Sequence, residues 1–382
     1  MLDWDRWQLE SLACSDFPRL GKEVAWALEQ KWIPGCVLGY VNLHRQRMYL
    51  GAWGSQRIVP SCEAMAIHTL FDVASLTKVM ATAPLAAYLV QRGWLDWETQ
   101  VQSILPEFQD KRVKVYHLLS HTSGQPAWVS FWEMLEARFL PQPLYSVSIQ
   151  KRQEVMRGLV FSVAQEYPPG SFSLYSDLSF LTLGFVLEEV LQMPLDRAVQ
   201  SLLWKPMGVQ EAFYQKIDTP AWLWKSSNTA STEQCGWRQA ILQGQVDDRN
   251  CWAMGGYGGH AGVFASAQAV LHFVAALIDG FLSEAMLEKM WTCVKDPGGC
   301  ERTLGWDTPS EGGSTGRFFS KKTVGHLGFT GTSLWIDRQE ALAFVVLTNR
   351  VHPSAENSGI RLFRPRVHDA FREDLQALQF RI

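Results

Sequence analysis

The sequence predicts an α/β chain of the α+β kind. An antiparallel sheet is built from both termini and flanked by helices, and a mainly helical domain is inserted between them. Three observations carry this. Strand-like segments gather at the two ends: "CVLGYVNL" and "RMYLGAW" near the start, "KTVGHLGF", "TSLWIDR" and "ALAFVVLTNR" near the finish. The middle of the chain has helical spacing punctuated by Gly and Pro. The length, 382 residues with 47% hydrophobic, exceeds a single small domain and supplies a sizeable core. The expected division is 1–70 with 256–382 as the sheet domain and 71–255 as the helical domain. A site is expected in the cleft between them.

The elements follow in chain order. Residues 20–32 read as an amphipathic helix ended by Pro34 and Gly35. The two strands around "HRQ" have the form of a hairpin. A long helix is expected from Asp72 to Arg92, stopped by Gly93, with Asp72 as its N-cap. Helical spacing recurs in "VYHLLSHTSG", "SIQKRQEVMRGLVFS", "LSFLTLGFVLEEVLQM" and "LDRAVQSLLWKPMG". "GGYGGHAGVFAS" at 255–266 breaks that pattern, and a helix follows at 267–279. A loop rich in Gly, Ser and Pro spans 296–316, then come three consecutive strands, the second turning at "DRQE". A helix near 355–378 closes the chain.

Charge and composition narrow the function. A net charge of −3 with no basic run argues against nucleic acid as a partner. The opening "MLDWDRWQLE" has acids where a signal peptide needs Lys or Arg, and no stretch approaches the roughly 18 apolar residues of a membrane span. As the sequence stands, a cytoplasmic protein is expected, or a periplasmic one if a leader was removed. Seven Cys without a C-x-x-C read as free thiols rather than a disulfide framework or zinc site. No metal and no cofactor are expected. Most of the seventeen Trp read as core, with a few free to wall a pocket.

The segment "FDVASLTKVM" poses the chemical question. Ser75 and Lys78 stand three apart, on one helix face, among apolar residues. A buried Lys is desolvated, which pushes its pKa down, so it can serve as a general base beside a serine nucleophile. A helix start also favours a developing alkoxide. Partners occur downstream. Tyr175 and Asp177 follow a Pro-Pro-Gly turn and open an apolar helix. A phenol there can relay a proton, and Asp177 can bond a lysine or orient a substrate amide. His326 and Gly328 lie at the end of a strand. His326 can donate a hydrogen bond or a charge, and glycine at 328 lets a substrate approach the backbone.

These pieces, in this order, resemble the serine β-lactamase and penicillin-binding-protein superfamily, and within it the class C-like branch of β-lactamases, esterases and D-amino-acid peptidases. "LLSHTSGQP" at 118–126, "PPG" before Tyr175, "PMG" at 206–208 and "GHAGVFAS" at 259–266 extend the resemblance over about residues 20–375. It implies a β-lactamase/transpeptidase-like fold and a serine hydrolase acting through an acyl-enzyme on ester, amide or β-lactam carbonyls. Ser75 would be the acylated nucleophile, Lys78 its base and Tyr175 the second proton-transfer group. His326 and Gly328 would mark the strand edge where substrate pairs. The backbone N–H groups of Ser75 and Phe329 would form the oxyanion hole. Two departures stand out. Asp177 replaces an Asn of that branch, and would raise the pKa of Lys78 if the two are close. His326 replaces a Lys that recognises a carboxylate. Both favour an esterase or peptide hydrolase over an efficient β-lactamase. The alternative is a penicillin-binding or sensor protein that is acylated without turning over. The implied partner is a small molecule or short peptide.

Other motifs carry less. "GGSTG" at 312–316 fits G-x-S-x-G around Ser314, but lies in a polar loop rather than between a strand and a helix. His121 reads as a capping or packing residue. His260 reads as a structural histidine that could instead touch substrate. Pocket shape is expected to depend on Trp128 to Leu144, on Trp222 and Trp224, and on residues 225–254.

Overall fold

A computed structural model describes residues 4–218, 220, 228–295 and 301–379. Its main sheet has seven strands. Four come from the N-terminal part: β1 (Gln8–Ser11), β2 (Gly35–Asn42), β3 (Arg47–Arg57) and β4 (Glu63–Ala64). Three come from the C-terminal part: β12 (Thr323–Leu327), β13 (Ser333–Asp337) and β14 (Leu342–Thr348). The order is β1-β3-β2-β14-β13-β12, with β4 on β3. The two ends of the chain meet at its centre, where β2 and β14 run antiparallel with Tyr40 opposite Phe344 and Val41 opposite Ala343. Both strands are buried almost throughout, so they read as unbroken apolar runs rather than alternating ones.

Helices cover both faces of the sheet. Helix Pro18–Glu29 turns Leu20, Val24 and Ala27 inward, the i, i+4, i+7 stripe of an amphipathic helix. It packs with the C-terminal helix Ile360–Gln379 on one face, where the Phe344 and Phe371 rings stack 4.0 Å apart. Helix Ala267–Ala276 covers the other face, against β2, β3 and β14.

The helices of residues 83–207 pack around the apolar helix Asp177–Leu191. The wider span 71–255, expected to be mainly helical, also contains strands at 71–72, 212–214, 231–235 and 240–243. A three-stranded sheet joins β5 (Phe71–Asp72), β9 (Val263–Ala265) and β6 (Ala212–Tyr214) in that order. Strands β7 (Ser231–Cys235) and β8 (Ala240–Gln243) form a hairpin, and β10 (Val294–Lys295) pairs with β11 (Glu301–Arg302). Strands of two to five residues leave little periodic signal.

The helix expected from Asp72 starts later. Phe71 and Asp72 are strand, Ala74 has a left-handed φ of 49°, and helix begins at Leu76. Asp72 is therefore not an N-cap. Its buried carboxylate accepts the Ala74 N–H at 2.9 Å and the Asp247 N–H at 2.6 Å. Residues Lys78–Thr82 form a π-helical turn before the α-helix Ala83–Gln91, a local irregularity frequent at functional sites. Among the described residues no single helix is long and apolar enough to cross a membrane.

Candidate active site

Ser75 sits on a sharp strand-to-helix turn. Three tight bonds make it: Leu76 N–H to Val73 O, Thr77 N–H to Ala74 O and Lys78 N–H to Ser75 O. A non-glycine residue at positive φ is strained, and Asp72 holds Ala74 there by accepting its N–H. The turn lifts Ser75 into a cleft of ≈ 460 Å³.

One turn on, Lys78 is wholly buried. Its Nζ donates to Ser75 Oγ at 3.0 Å, Asp177 Oδ1 at 2.7 Å and the His260 carbonyl at 3.1 Å. Three acceptors, one a carboxylate, match the three N–H groups of an ammonium. Burial pulls the pKa of Lys78 down, but the Asp177 charge, with Tyr175, outweighs it and holds the amine well above its ordinary value. The expectation of a depressed lysine is therefore overturned. The reason is the expected effect of an acid at position 177, which lies in contact with the amine.

Tyr175 precedes helix Asp177–Leu191, whose N-cap is Ser176. The Lys78 Nζ lies 4.9 Å from the centre of the Tyr175 ring. Burial pushes the pKa of Tyr175 up to about 12, against the lowering pull of Lys78, so the phenol is neutral at physiological pH. His121 locks this corner: its Nδ1 accepts the Ser176 N–H at 3.0 Å, and its ring lies 4.7 Å from that of Tyr175. The packing role read from the sequence is thus what the geometry has.

His326 lies on β12, 2% exposed, with its ring 5.8 Å from that of Tyr175. Its Nδ1 meets the Leu327 carbonyl at 2.8 Å. A carbonyl only accepts, so Nδ1 carries the hydrogen and Nε2 presents a lone pair, which has no hydrogen-bond partner. Burial lowers its pKa to about 4. His326 is therefore a neutral acceptor. The expected donor is absent because the single N–H is spent on the backbone.

Gly328 is also required by internal packing. A Cβ there would lie 2.0 Å from Thr332 Oγ1 and 2.5 Å from the Val73 carbonyl. The glycine lets the end of β12 press against the Ser75 turn, and it is the protein's own backbone that approaches. Thr330 Oγ1 donates to Asp72 O at 2.7 Å and Thr332 Oγ1 to Val73 O at 2.9 Å, which bolts loop 328–332 to that turn. Among the described residues, the backbone N–H groups of Ser75 and Phe329 find no acceptor.

The Gly-rich stretch 255–262 forms the third wall. Gly259 presses on the Phe180 carbonyl, where a Cβ would come within 2.0 Å. Thr82 Oγ1 donates to the Gly259 carbonyl at 2.6 Å. This fixes His260, whose carbonyl holds Lys78 and whose Nε2 lies 3.0 Å from Asp248 Oδ1. Trp128, Phe329 and Ala355 line the cleft, with Asp177, Glu233, Asp247, Asp248 and Arg249.

Asp248, Glu233 and Arg249 were not singled out from sequence, since ordinary surface composition hides them. Arg302, whose guanidinium lies 5.6 Å from the Tyr175 ring and pairs with Asp307 at 2.5 Å, was equally invisible. Trp222 and Trp224 lie outside the described residues. Ser314 belongs to a turn whose carbonyl bonds His368 at 2.6 Å, away from the cleft. Two larger surface grooves, ≈ 750 and ≈ 740 Å³, hold no Ser–Lys pair, so chemistry rather than volume selects the site. Among the described residues, no group of three or more His, Cys, Asp or Glu is placed to hold a metal ion.

Comparisons with known proteins bear on the family and the fold. The Beta-lactamase family matches residues 22–364. A protein of Salmonella agona named "Putative D-alanyl-D-alanine carboxypeptidase" is 28% identical over 317 residues, 76% of this chain and 71% of its own. Among solved structures, EstCE1, described as a hydrolase with promiscuous acyltransferase activity, superposes with a TM-score of 0.72 at 22% identity, covering 94% of this chain and 100% of that one. The octameric penicillin-binding protein homologue from Pyrococcus abyssi gives 0.70 at 18%, covering 94% and 77%. At these identities the structural likeness speaks to fold.

Proposed function

The chain belongs to the Beta-lactamase family and is a serine hydrolase of that superfamily, and from that premise we propose that it acts through an acyl-enzyme on Ser75. The observation that carries this is the Lys78 ammonium 3.0 Å from Ser75 Oγ, with the Tyr175 ring 4.9 Å from the same Nζ and in the same cleft.

At neutral pH the Lys78–Tyr175 pair is fully protonated, so the competent form is the one that has lost one proton from the pair. That form takes the proton of Ser75 as Oγ attacks the carbonyl. Tyr175 then passes the proton to the leaving group, and the same pair deprotonates the water that releases the acyl group. The Ser75 and Phe329 N–H groups receive the oxyanion, each worth about 3 kcal/mol at the transition state.

Four carboxylates face the cleft against Arg249, and His326 offers no positive charge. This supports esters and amides without a negative group beside the scissile bond over substrates selected by a carboxylate. Trp128 and Phe329, both half exposed at its mouth, suit an apolar acyl group.

The test is release of chromophore from a neutral aryl ester, with mass spectrometry of the quenched enzyme. An adduct on Ser75, lost in Ser75→Ala, is expected. No acylation across esters, cephalosporins and D-amino-acid peptides would overturn the proposal. A second reading, acylation without turnover, draws support from the Asp177–Lys78 pair, which opposes the base needed for deacylation. It requires a stoichiometric burst with no steady-state rate.

A further inference from the structure

We propose that Arg364 is a positioning residue for the oxyanion hole, acting through the Gly328–Phe329 peptide. The inference rests on the reading of Ser75 as nucleophile and the Phe329 N–H as an oxyanion donor.

Arg364 lies on the C-terminal helix and is 8% exposed. Its Nη2 donates to the Gly328 carbonyl at 2.6 Å and to the Thr332 carbonyl at 2.8 Å. No carboxylate among the described residues lies within ion-pair distance of it. Burial, with a contribution from Arg350, lowers its pKa to about 9, which leaves it charged at neutral pH. A buried cation without a counter-ion is costly, and an apolar side chain of the same length would fill the space without that cost.

The bonded carbonyl and the Phe329 N–H are the two ends of one peptide unit. Resonance couples them. A charged donor on the oxygen draws density from the nitrogen and makes the N–H a stronger donor, as in any hydrogen-bonded chain. The charge also attracts the oxyanion directly through a water-poor interior.

A neighbouring arginine supplies the control. Arg350 donates to the Phe329 carbonyl at 2.9 Å from Nε and 2.6 Å from Nη2, and its guanidinium lies 4.5 Å from the Phe329 ring. That carbonyl belongs to the next peptide, whose N–H is that of Thr330. Arg350 braces the same loop without touching the donor's own peptide.

The experiment compares Arg364→Gln, Arg364→Lys, Arg350→Gln and Ser75→Ala in the full chain. The substrate is a neutral aryl ester. The transition-state probe is phenylboronic acid, which forms an anionic tetrahedral adduct on a serine. Gln keeps a hydrogen-bond donor and removes the charge. Arg364→Gln is expected to lower kcat ten- to a hundredfold, with KM within threefold. Phenylboronic acid should bind more weakly by a matching factor, and Arg364→Lys should recover most of both. Arg350→Gln should lose less boronate affinity than Arg364→Gln. Boronate affinity within threefold of wild type in Arg364→Gln overturns the inference, even if kcat falls, because that pattern marks a merely structural role. If Arg364→Gln does not fold, Arg364→Lys decides: a loss of boronate affinity above tenfold despite retained charge overturns it. Undiminished acylation in Ser75→Ala would instead overturn the underlying reading.

Discussion

Asp177 grips Lys78. Carboxylate and ammonium stand 2.7 Å apart, and the lysine is wholly buried while the acid is 19% exposed. The pair keeps the amine protonated in the resting protein and so sets the pH at which a base becomes available.

Replacing Asp177 by Asn removes the charge that raises the Lys78 pKa, while burial continues to lower it. The free amine then appears at lower pH. Hydrolysis of a neutral ester by wild type should therefore rise on the alkaline side, and in Asp177→Asn that limb should move down by a unit or more. Profiles of kcat/KM against pH measure it. Coincident limbs would mean that Lys78 does not provide the base.

The strained residue before the nucleophile makes a different forecast. Ala74 sits at φ 49° with its N–H on Asp72. Gly adopts that conformation freely, so Ala74→Gly should leave stability within about 1 kcal/mol of wild type. A β-branched side chain does not, so Ala74→Val should cost about 1–3 kcal/mol and misplace Ser75. Urea unfolding of both variants separates the cases. Equal stability of Val and Gly at 74 would refute the left-handed turn.

At Gly328 one of the two obstacles, the Val73 carbonyl, is backbone, which cannot step aside as a flexible side chain would. A methyl group 2.5 Å from the Val73 carbonyl must push loop 328–332 away from the Ser75 turn. Gly328→Ala should cost about 1–3 kcal/mol in stability. It should also lower kcat by about a hundredfold, the usual penalty for an ångström of misplacement. A variant with wild-type kcat would show that the two segments need not touch.

Acid should destabilise the fold before it protonates most carboxylates. Burial holds His117, His272, His326 and His368 near pKa 4, and holds His121 and His352 below their ordinary value as well. A histidine whose folded pKa lies below its unfolded one, about 6.5, favours the native state above that pH. The advantage is lost as pH falls toward 4. Asp72 and Glu188, raised to about 7, and Asp247, raised to about 6, act oppositely because the folded state takes up their protons first. The histidines outnumber them, so the thermal midpoint should fall between pH 6.5 and 4. A flat or rising midpoint there would refute the balance.

Much of the fold was legible because it rests on patterns local in sequence. The buried strands β2 and β14 are continuous apolar runs, and helix Asp177–Leu191 is mostly apolar and buried from Leu178 to Leu187. The spacing of Ser75 and Lys78 is equally local, and the resemblance of the segments around Tyr175 and His326 supplied their place beside it. Irregular backbone was not legible. The strand at Phe71–Asp72, the π-turn at Lys78–Thr82 and the hairpin of β7 and β8 depend on partners far along the chain, and propensity is silent about them.

The residues available for chemistry were thus determined by the sequence, while their protonation states were decided by the tertiary structure. A buried lysine among apolar neighbours would lose its proton, yet Asp177, ninety-nine positions away, restores it. A histidine on a strand could donate, yet the Leu327 carbonyl claims its N–H. Gly328 carries no side chain, and the space a Cβ would need is taken by the Val73 carbonyl and Thr332 Oγ1. In each case the deciding group lies within a few ångströms, where a single charge or acceptor outweighs everything the local sequence implies.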